Sequence, residues 1–216
     1  EAIYKAQDEQ RIEYASALRK MKKLLAKAME TYTDKPSEQL IKYEKWYEKP
    51  TQTKIAPEIV DGRTKYLWLI KQFIDTPDNL SDYDLVNYHV RSPVGKGWSG
   101  LEPTVINLSH YMPMRVILFD ILGLKATVEA GKIQSDSEAR AKLAEKSDSK
   151  LVKDIIETYT VLGDIEQGLK LYINNYIKMI DPDTGRMYPT ISSLLDTRRT
   201  STSNPSPQQL TKFGKS

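Results

Sequence analysis

Between Leu151 and Ile180 the residues Leu151, Ile155, Tyr159, Leu162, Ile165, Leu169, Tyr172, Tyr176 and Met179 recur at every third or fourth position, with no proline among them. This spacing predicts one long amphipathic helix over 151–180 whose apolar stripe must be buried against other elements. Gly163 and Gly168 each weaken it by roughly 1 kcal/mol relative to alanine, so any break is expected between them. A second stripe, Ile12, Ala15, Leu18, Met21, Leu25, Ala28 and Tyr32, predicts a helix over 1–32 that stops at Thr33-Asp34-Lys35-Pro36.

The intervening patterns are shorter. Leu40, Tyr43, Trp46 and Tyr47 form the aromatic edge of a short helix at about 37–48, and Pro50 to Gly62 reads as an extended surface connection. Arg63 to Asp75 matches a buried helix ended by Thr76-Pro77. Ser81 and Asp84 resemble a capping box opening a short helix to about Tyr88, while the alternation of Val86, Tyr88 and Val90 favours a strand over the same residues. Residues 91–104 are irregular, with Trp98 as a single large anchor. Val105 to Leu124 is the most apolar region and is expected to be a central helix, kinked or restarted at Pro113 and loosened at Gly123. Ala126 to Lys150 is polar and rich in helix formers, with Ser147-Asp148-Ser149 as candidate caps for the long helix. Asp181 to Gly185 is a turn.

The fold class is thus mainly α: an irregular bundle of four to six helices with one long C-terminal amphipathic helix. A helical domain over 1–196, with irregular connections at about 50–62 and 91–104, is followed by a polar tail over 197–216. Thr200 to Gln209 offers no apolar residue to offset the roughly 1–2 kcal/mol per residue of backbone entropy lost on ordering, so the tail is expected to be disordered until a partner orders it. Leu210 and Phe213 are its only late anchors.

Composition narrows the function classes. Charged residues make up 28% of the chain and the net charge is only +3, which gives no strong overall field for nucleic acid or an anionic membrane. No transmembrane segment is expected, because the longest apolar run, Val116 to Leu124, contains Asp120 and falls far short of the roughly 20 residues that cross a bilayer. The absence of cysteine removes disulfides, thiolate metal sites and cysteine nucleophiles. A chain that opens at Glu1 within a helical pattern reads as processed, trimmed, or starting inside a longer protein.

Candidate chemistry is sparse. Gly95-Lys96-Gly97-Trp98-Ser99-Gly100 has the letters G-x-G-x-x-G, but Pro93 and Pro103 disturb the strand and helix that a dinucleotide site needs. Gly95-Lys96-Gly97 fails the phosphate-loop order, and Ser99 lacks the closing glycine of a nucleophile elbow. His89 and His110 have no glutamate three residues before them, which removes the di-iron bundle pattern. Asp181, Asp183 and Gly185 open like a calcium loop but lack its glycine and glutamate positions. Asp120 is the kind of carboxylate whose pKa burial raises, but no second titratable group stands at a spacing that would pair with it. It is expected to face the helix surface or to accept hydrogen bonds from a neighbouring element. No catalytic residue, cofactor or metal site is assigned.

What remains is interaction chemistry. Tyr159, Tyr172 and Tyr176 on the long stripe, Trp98 in the loop, and Leu210 and Phe213 in the tail are the candidate protein-interface residues, since tyrosine and tryptophan suit half-buried contacts. Arg19, Lys20, Lys22, Lys23 and Lys27 form a candidate basic patch on the first helix. The expected function is that of a non-enzymatic structural or adaptor subunit contacting other protein subunits, homo- or hetero-oligomeric; a virion component such as a head–tail connector or another phage structural protein has this profile. The first alternative is a helical nucleic-acid-binding protein using Arg19 to Lys27 with Arg198-Arg199, in which affinity would fall steeply with salt. The second is an enzyme using the 91–104 loop, with Arg91, Lys96 and His89 or His110 converging on a substrate or phosphate.

Overall fold

A computed structural model describes residues 2–52, 59–86, 89–90, 104–105, 108, 110–192 and 201–203. The chain is mainly helical, and its contacts divide it into two compact units: residues 12–163, and residues 1–11 with 164–216.

Helix α1 (Ala2–Glu30) gives its residues from 12 onward to the larger unit, where Ala15, Leu18, Met21, Leu25 and Ala28 are buried as their spacing requires. Ile12 is the departure from the expected stripe, being 57% exposed. A short α2 (Glu38–Tyr43) is capped by Ser37, and its Leu40 is fully buried. Strands β1 (Pro50–Gln52) and β2 (Ile59–Asp61) pair antiparallel, so part of the expected extended connection is a hairpin. Asp61 then caps α3 (Gly62–Ile74), its carboxylate accepting the Thr64 N–H at 2.7 Å, which satisfies one orphan donor of the first turn. Of the expected Ser81–Asp84 capping box the N-cap half forms: Ser81 Oγ accepts the Asp84 N–H at 3.1 Å, opening α4 (Asp82–Val86), while the Asp84 carboxylate accepts the Ser81 hydroxyl at 2.6 Å in place of the Ser81 N–H. The rival strand reading holds only further along, where β3 (His89–Val90) pairs with β4 (Thr104–Val105).

That pairing corrects the expected central helix. Val105 is in a strand, and α5 (Tyr111–Arg115) begins only after His110, whose Nδ1 accepts the Met112 N–H at 3.4 Å. Pro113 therefore lies in a first turn, where its missing N–H costs nothing, and is not a kink. The helix continues as a π-helical stretch, Val116–Ile121, and ends where Gly123 adopts a left-handed φ of 61°. The polar 126–150 stretch, rich in helix formers, is helical only in part. Strands β5 (Val128–Glu129) and β6 (Lys132–Ile133) form a hairpin around Ala130 and Gly131, both at positive φ as a two-residue primed turn demands. Only Ser137–Lys146 is helical before the long helix (α6), capped by Asp136. Helix α7 (Lys150–Gly168) supplies Val152, Ile155, Ile156, Tyr159 and Leu162 to the core, which it shares with residues of α1, α2, α3 and the π-helical stretch.

In the smaller unit the helical path continues from Asp164, but its pitch changes. α7 passes into a π-helical turn, Leu169–Ile173, and then α8 (Asn174–Lys178), so the irregularity follows Gly168 instead of lying between the two glycines. Gln7 donates to Asn174 at 2.7 Å within this unit. Asp181 ends the helical run as a turn: its Oδ1 accepts the N–H groups of Asp183 and Thr184, and Gly185 takes a φ of 65°. Inside the tail expected to lack regular structure, β8 (Ser201–Ser203) pairs with β7 (Thr190–Ser192). The rest of 197–216 lies outside the described residues.

Two glycines check this packing. A Cβ at Gly62 would sit 2.2 Å from the Trp46 carbonyl oxygen, so Gly62→Ala must displace backbone and is expected to lower stability by about 2 kcal/mol or more. Gly163 lies inside α7 with nothing near its would-be Cβ, so Gly163→Ala is expected to raise stability by about 0.5–1 kcal/mol. Urea midpoints of the two variants should move in opposite directions.

Candidate functional site

The π-helical stretch is apolar except for Asp120, and all six of its residues are buried. The wider π turn, in which the Leu122 N–H reaches back to the Ile117 carbonyl at 3.0 Å, leaves no solvent face for the carboxylate to use. Asp120 therefore meets the second of the two expectations and accepts hydrogen bonds from neighbouring elements. Its Oδ2 accepts the Tyr47 hydroxyl at 2.7 Å and Arg63 Nε at 2.9 Å. Its side chain is fully buried.

Local structure brings these donors in. Tyr47 sits in the turn after α2, where its N–H reaches the Glu44 carbonyl at 2.9 Å, and its own carbonyl accepts the Arg63 N–H at 2.9 Å. The first turn of α3 is thereby tied to the α2 turn, and both side chains point to Asp120. The Tyr47 oxygen also accepts the Ser37 N–H at 3.2 Å. Arg63 Nη2 continues outward, donating to the Tyr32 hydroxyl at 2.6 Å and to Asp34 Oδ1 at 2.7 Å. Asp34 is held at a φ of 55° just beyond α1, a left-handed conformation that an L-residue other than Asn or Asp rarely takes.

The titration directions follow from this geometry. Burial raises the Asp120 pKa, while Tyr47 and Arg63 oppose the rise. Hydrogen bonds from Arg63 and Tyr32 hold Asp34 below the usual carboxylate range. Burial, reinforced by the Asp120 charge, pushes Tyr32 up to about 12, and burial with the bond to Asp120 raises Tyr47 further. Both phenols thus stay protonated donors near neutral pH, and Arg63 stays charged. Oδ1 of Asp120 has no hydrogen-bond partner among the described residues. A cleft of about 640 Å³ opens beside this network, lined by Tyr32, Ser37, Asp120 and Leu122 and by Ser147 and Ser149 ahead of α7.

A second buried pair lies close in sequence. Arg115 contacts Glu44 and donates to the Ile133 carbonyl at 2.8 Å, and Glu44 accepts the Trp46 indole N–H at 2.6 Å. The two clusters join separate elements: the first ties the α2 turn to the start of α3 and the π turn, and the second ties it to α5 and β6.

The residues singled out from sequence fare differently. Tyr159 is a core residue, 5% exposed, with the Arg140 guanidinium 5.3 Å from its ring centroid. Tyr176 is half-buried on α8. Trp98, Leu210, Phe213, the Tyr172 side chain, the 91–103 loop with Arg91 and Lys96, the His89 side chain, and Arg198-Arg199 lie outside the described residues. In the basic patch, Arg19 pairs with Asp82 at 2.5 Å, Lys22 with Asp78 at 2.6 Å, and Lys20 with Glu157 at 3.7 Å; only Lys23 and Lys27 have no carboxylate partner among the described residues. Such pairing lowers the field this face offers to phosphate. No group of three or more histidine or acidic side chains that could hold a metal ion is present among the described residues, and none of their helices is long and apolar enough to cross a membrane.

The Asp120 network was half legible. A lone aspartate in an apolar run signals a buried carboxylate that needs donors, but Arg63 is 57 residues away and no spacing rule connects them. No protein-family model matches the chain, and no curated protein matches it.

Removing the carboxylate strands Tyr47 and Arg63, so Asp120→Ala is expected to cost about 3–5 kcal/mol, against about 1–3 kcal/mol for Tyr47→Phe, both read from urea unfolding. The acid dependence has a definite sign. With its folded pKa raised above 3.8, Asp120 binds more protons folded than unfolded, so its contribution to stability grows as pH falls toward 3.8. Asp120→Asn removes that contribution, and the variant should lose stability on acidification more steeply than the wild type.

Proposed function

We propose that this chain is a non-enzymatic structural or adaptor subunit, in a virion or another assembly, and that its smaller unit completes its core against other protein subunits. One observation carries the reading. Among the described residues of 1–11 and 164–216, only Ile165 is a buried apolar residue, although Leu169, Ile173, Tyr176, Ile177, Met179 and Ile180 are all half-buried. No residue of α8 is fully buried, and beyond it Met187, Tyr188 and Ile191 are exposed, the last two at 60% and 67%. A unit that removes so little apolar surface from water gains little against its chain entropy. Obligate interfaces supply the missing burial, being as apolar as a domain core cut in half.

The titratable groups described support the same reading. The two buried carboxylates, Asp120 and Glu44, serve ion pairs that hold secondary structure together. The nucleic-acid alternative is disfavoured by the pairing of Arg19, Lys20 and Lys22 with carboxylates.

Hydrogen exchange tests the proposal. At a concentration where light scattering reports a monomer, amides of 169–192 should exchange at least about tenfold faster than those of 150–163, as expected of a segment with few buried contacts. Protection should rise when the chain enters its assembly. Equal, slow exchange of both segments in the monomer would show that the smaller unit needs no partner.

A further inference from the structure

We propose that a slot between Trp46 and Tyr66, in the larger unit, is a docking pocket for an acidic segment of a partner protein, with one apolar side chain entering the slot and flanking carboxylates meeting Lys49 and Lys65. This rests on the reading of the chain as a subunit that works through protein contacts. The slot has a volume of about 390 Å³, the scale of a single anchoring side chain with its neighbours.

Its walls are fixed before anything binds. The Trp46 indole is edge-on to Tyr66 with ring centroids 5.5 Å apart and edge-on to Tyr47 at 5.8 Å. The bond from its N–H to Glu44 prevents rotation, and the Tyr66 hydroxyl contacts Met112 Sδ at 2.9 Å. Gly62 lets α3 approach the Trp46 carbonyl, which no larger residue allows. Rigid aromatic walls lose little entropy on binding and are the surfaces on which interface energy concentrates. Pro50 and Met112 extend the apolar lining.

Charge complementarity selects the occupant. Lys49 and Lys65 both line the slot, and neither has a carboxylate partner among the described residues, unlike Arg19, Lys20 and Lys22 on α1; Lys65 Nζ rests 5.4 Å from the Tyr66 ring centroid. Two cations beside an aromatic slot favour an acidic segment and repel a basic one.

The test uses the intact chain and synthetic peptides, followed by the Trp46 indole N–H resonance in NMR. The probe is a five-residue peptide with phenylalanine flanked on each side by aspartate and glutamate; controls replace phenylalanine with alanine, or the acids with lysine and arginine. The phenylalanine peptide should shift the Trp46 resonance saturably, and the double variant K49E/K65E, with both positions on the rim, should weaken it by about tenfold or more. No shift at millimolar peptide, equal binding of either control, or binding unchanged by K49E/K65E would overturn the proposal. Saturation by indole-3-acetate where the peptide fails would overturn it too, in favour of a small aromatic anion. Because the peptide assay reads the larger unit alone, its failure leaves the exchange result for 169–192 standing.

Discussion

The larger unit is organised around the need to satisfy one buried carboxylate. A π-helical stretch with six buried residues in succession has nowhere to send Asp120, so donors must come to it. An unpaired charge in that position would cost several kcal/mol, a large share of the roughly 5–15 kcal/mol that stabilises a typical domain. Tyr47 and Arg63 meet the need, and their backbones are joined as well, by the Arg63 N–H to the Tyr47 carbonyl. The α2 turn, the start of α3 and the π turn are therefore held in one arrangement. Gly62 follows from the same constraint, since the helix start must approach Trp46 to bring Arg63 within reach.

Arg63 does a second thing. By also binding Asp34 and Tyr32 it ties the end of α1 to the same cluster, and holds Asp34 in a left-handed backbone conformation. One guanidinium thus spans a buried carboxylate and an exposed one. Its fork of donors allows this, where the compact ammonium of lysine would not. The Glu44–Arg115 pair repeats the device between α2, α5 and β6, and orients the Trp46 indole at the slot. The fixed walls of that slot are a by-product of ion pairs whose first role is structural.

The two units differ in how they meet the entropy of folding. In 12–163 a contiguous core runs from Ala15 to Leu162, while in 1–11 and 164–216 the apolar side chains described are mostly half-covered. A two-stranded ribbon such as β7–β8, with Ile191 exposed, is marginal by itself. The proposed role as a subunit rests on this contrast.

Periodicity alone determined the long helices α1 and α7 and, with its caps, α3. The stripes of α1 and α7, the extent of α3 and the Ser81 cap of α4 are local, because a 3.6-residue repeat and a cap depend on residues within a turn or two. The small charge imbalance and the absence of cysteine were equally plain. Tertiary structure decided the rest, for a common reason: each feature depends on partners far apart in sequence. Val105 joins a strand because His89 lies opposite it, and Tyr159 packs in the core with the Arg140 guanidinium 5.3 Å from its ring centroid. Three of the five cations on the basic face of α1 are paired by Asp78, Asp82 and Glu157, which no helical spacing links to Arg19, Lys20 and Lys22. Asp120 in its apolar run announced a buried charge; that Tyr47 and Arg63 would hold it was settled only when the chain folded back on itself, since pairing of buried charges is a property of space and not of order along the chain.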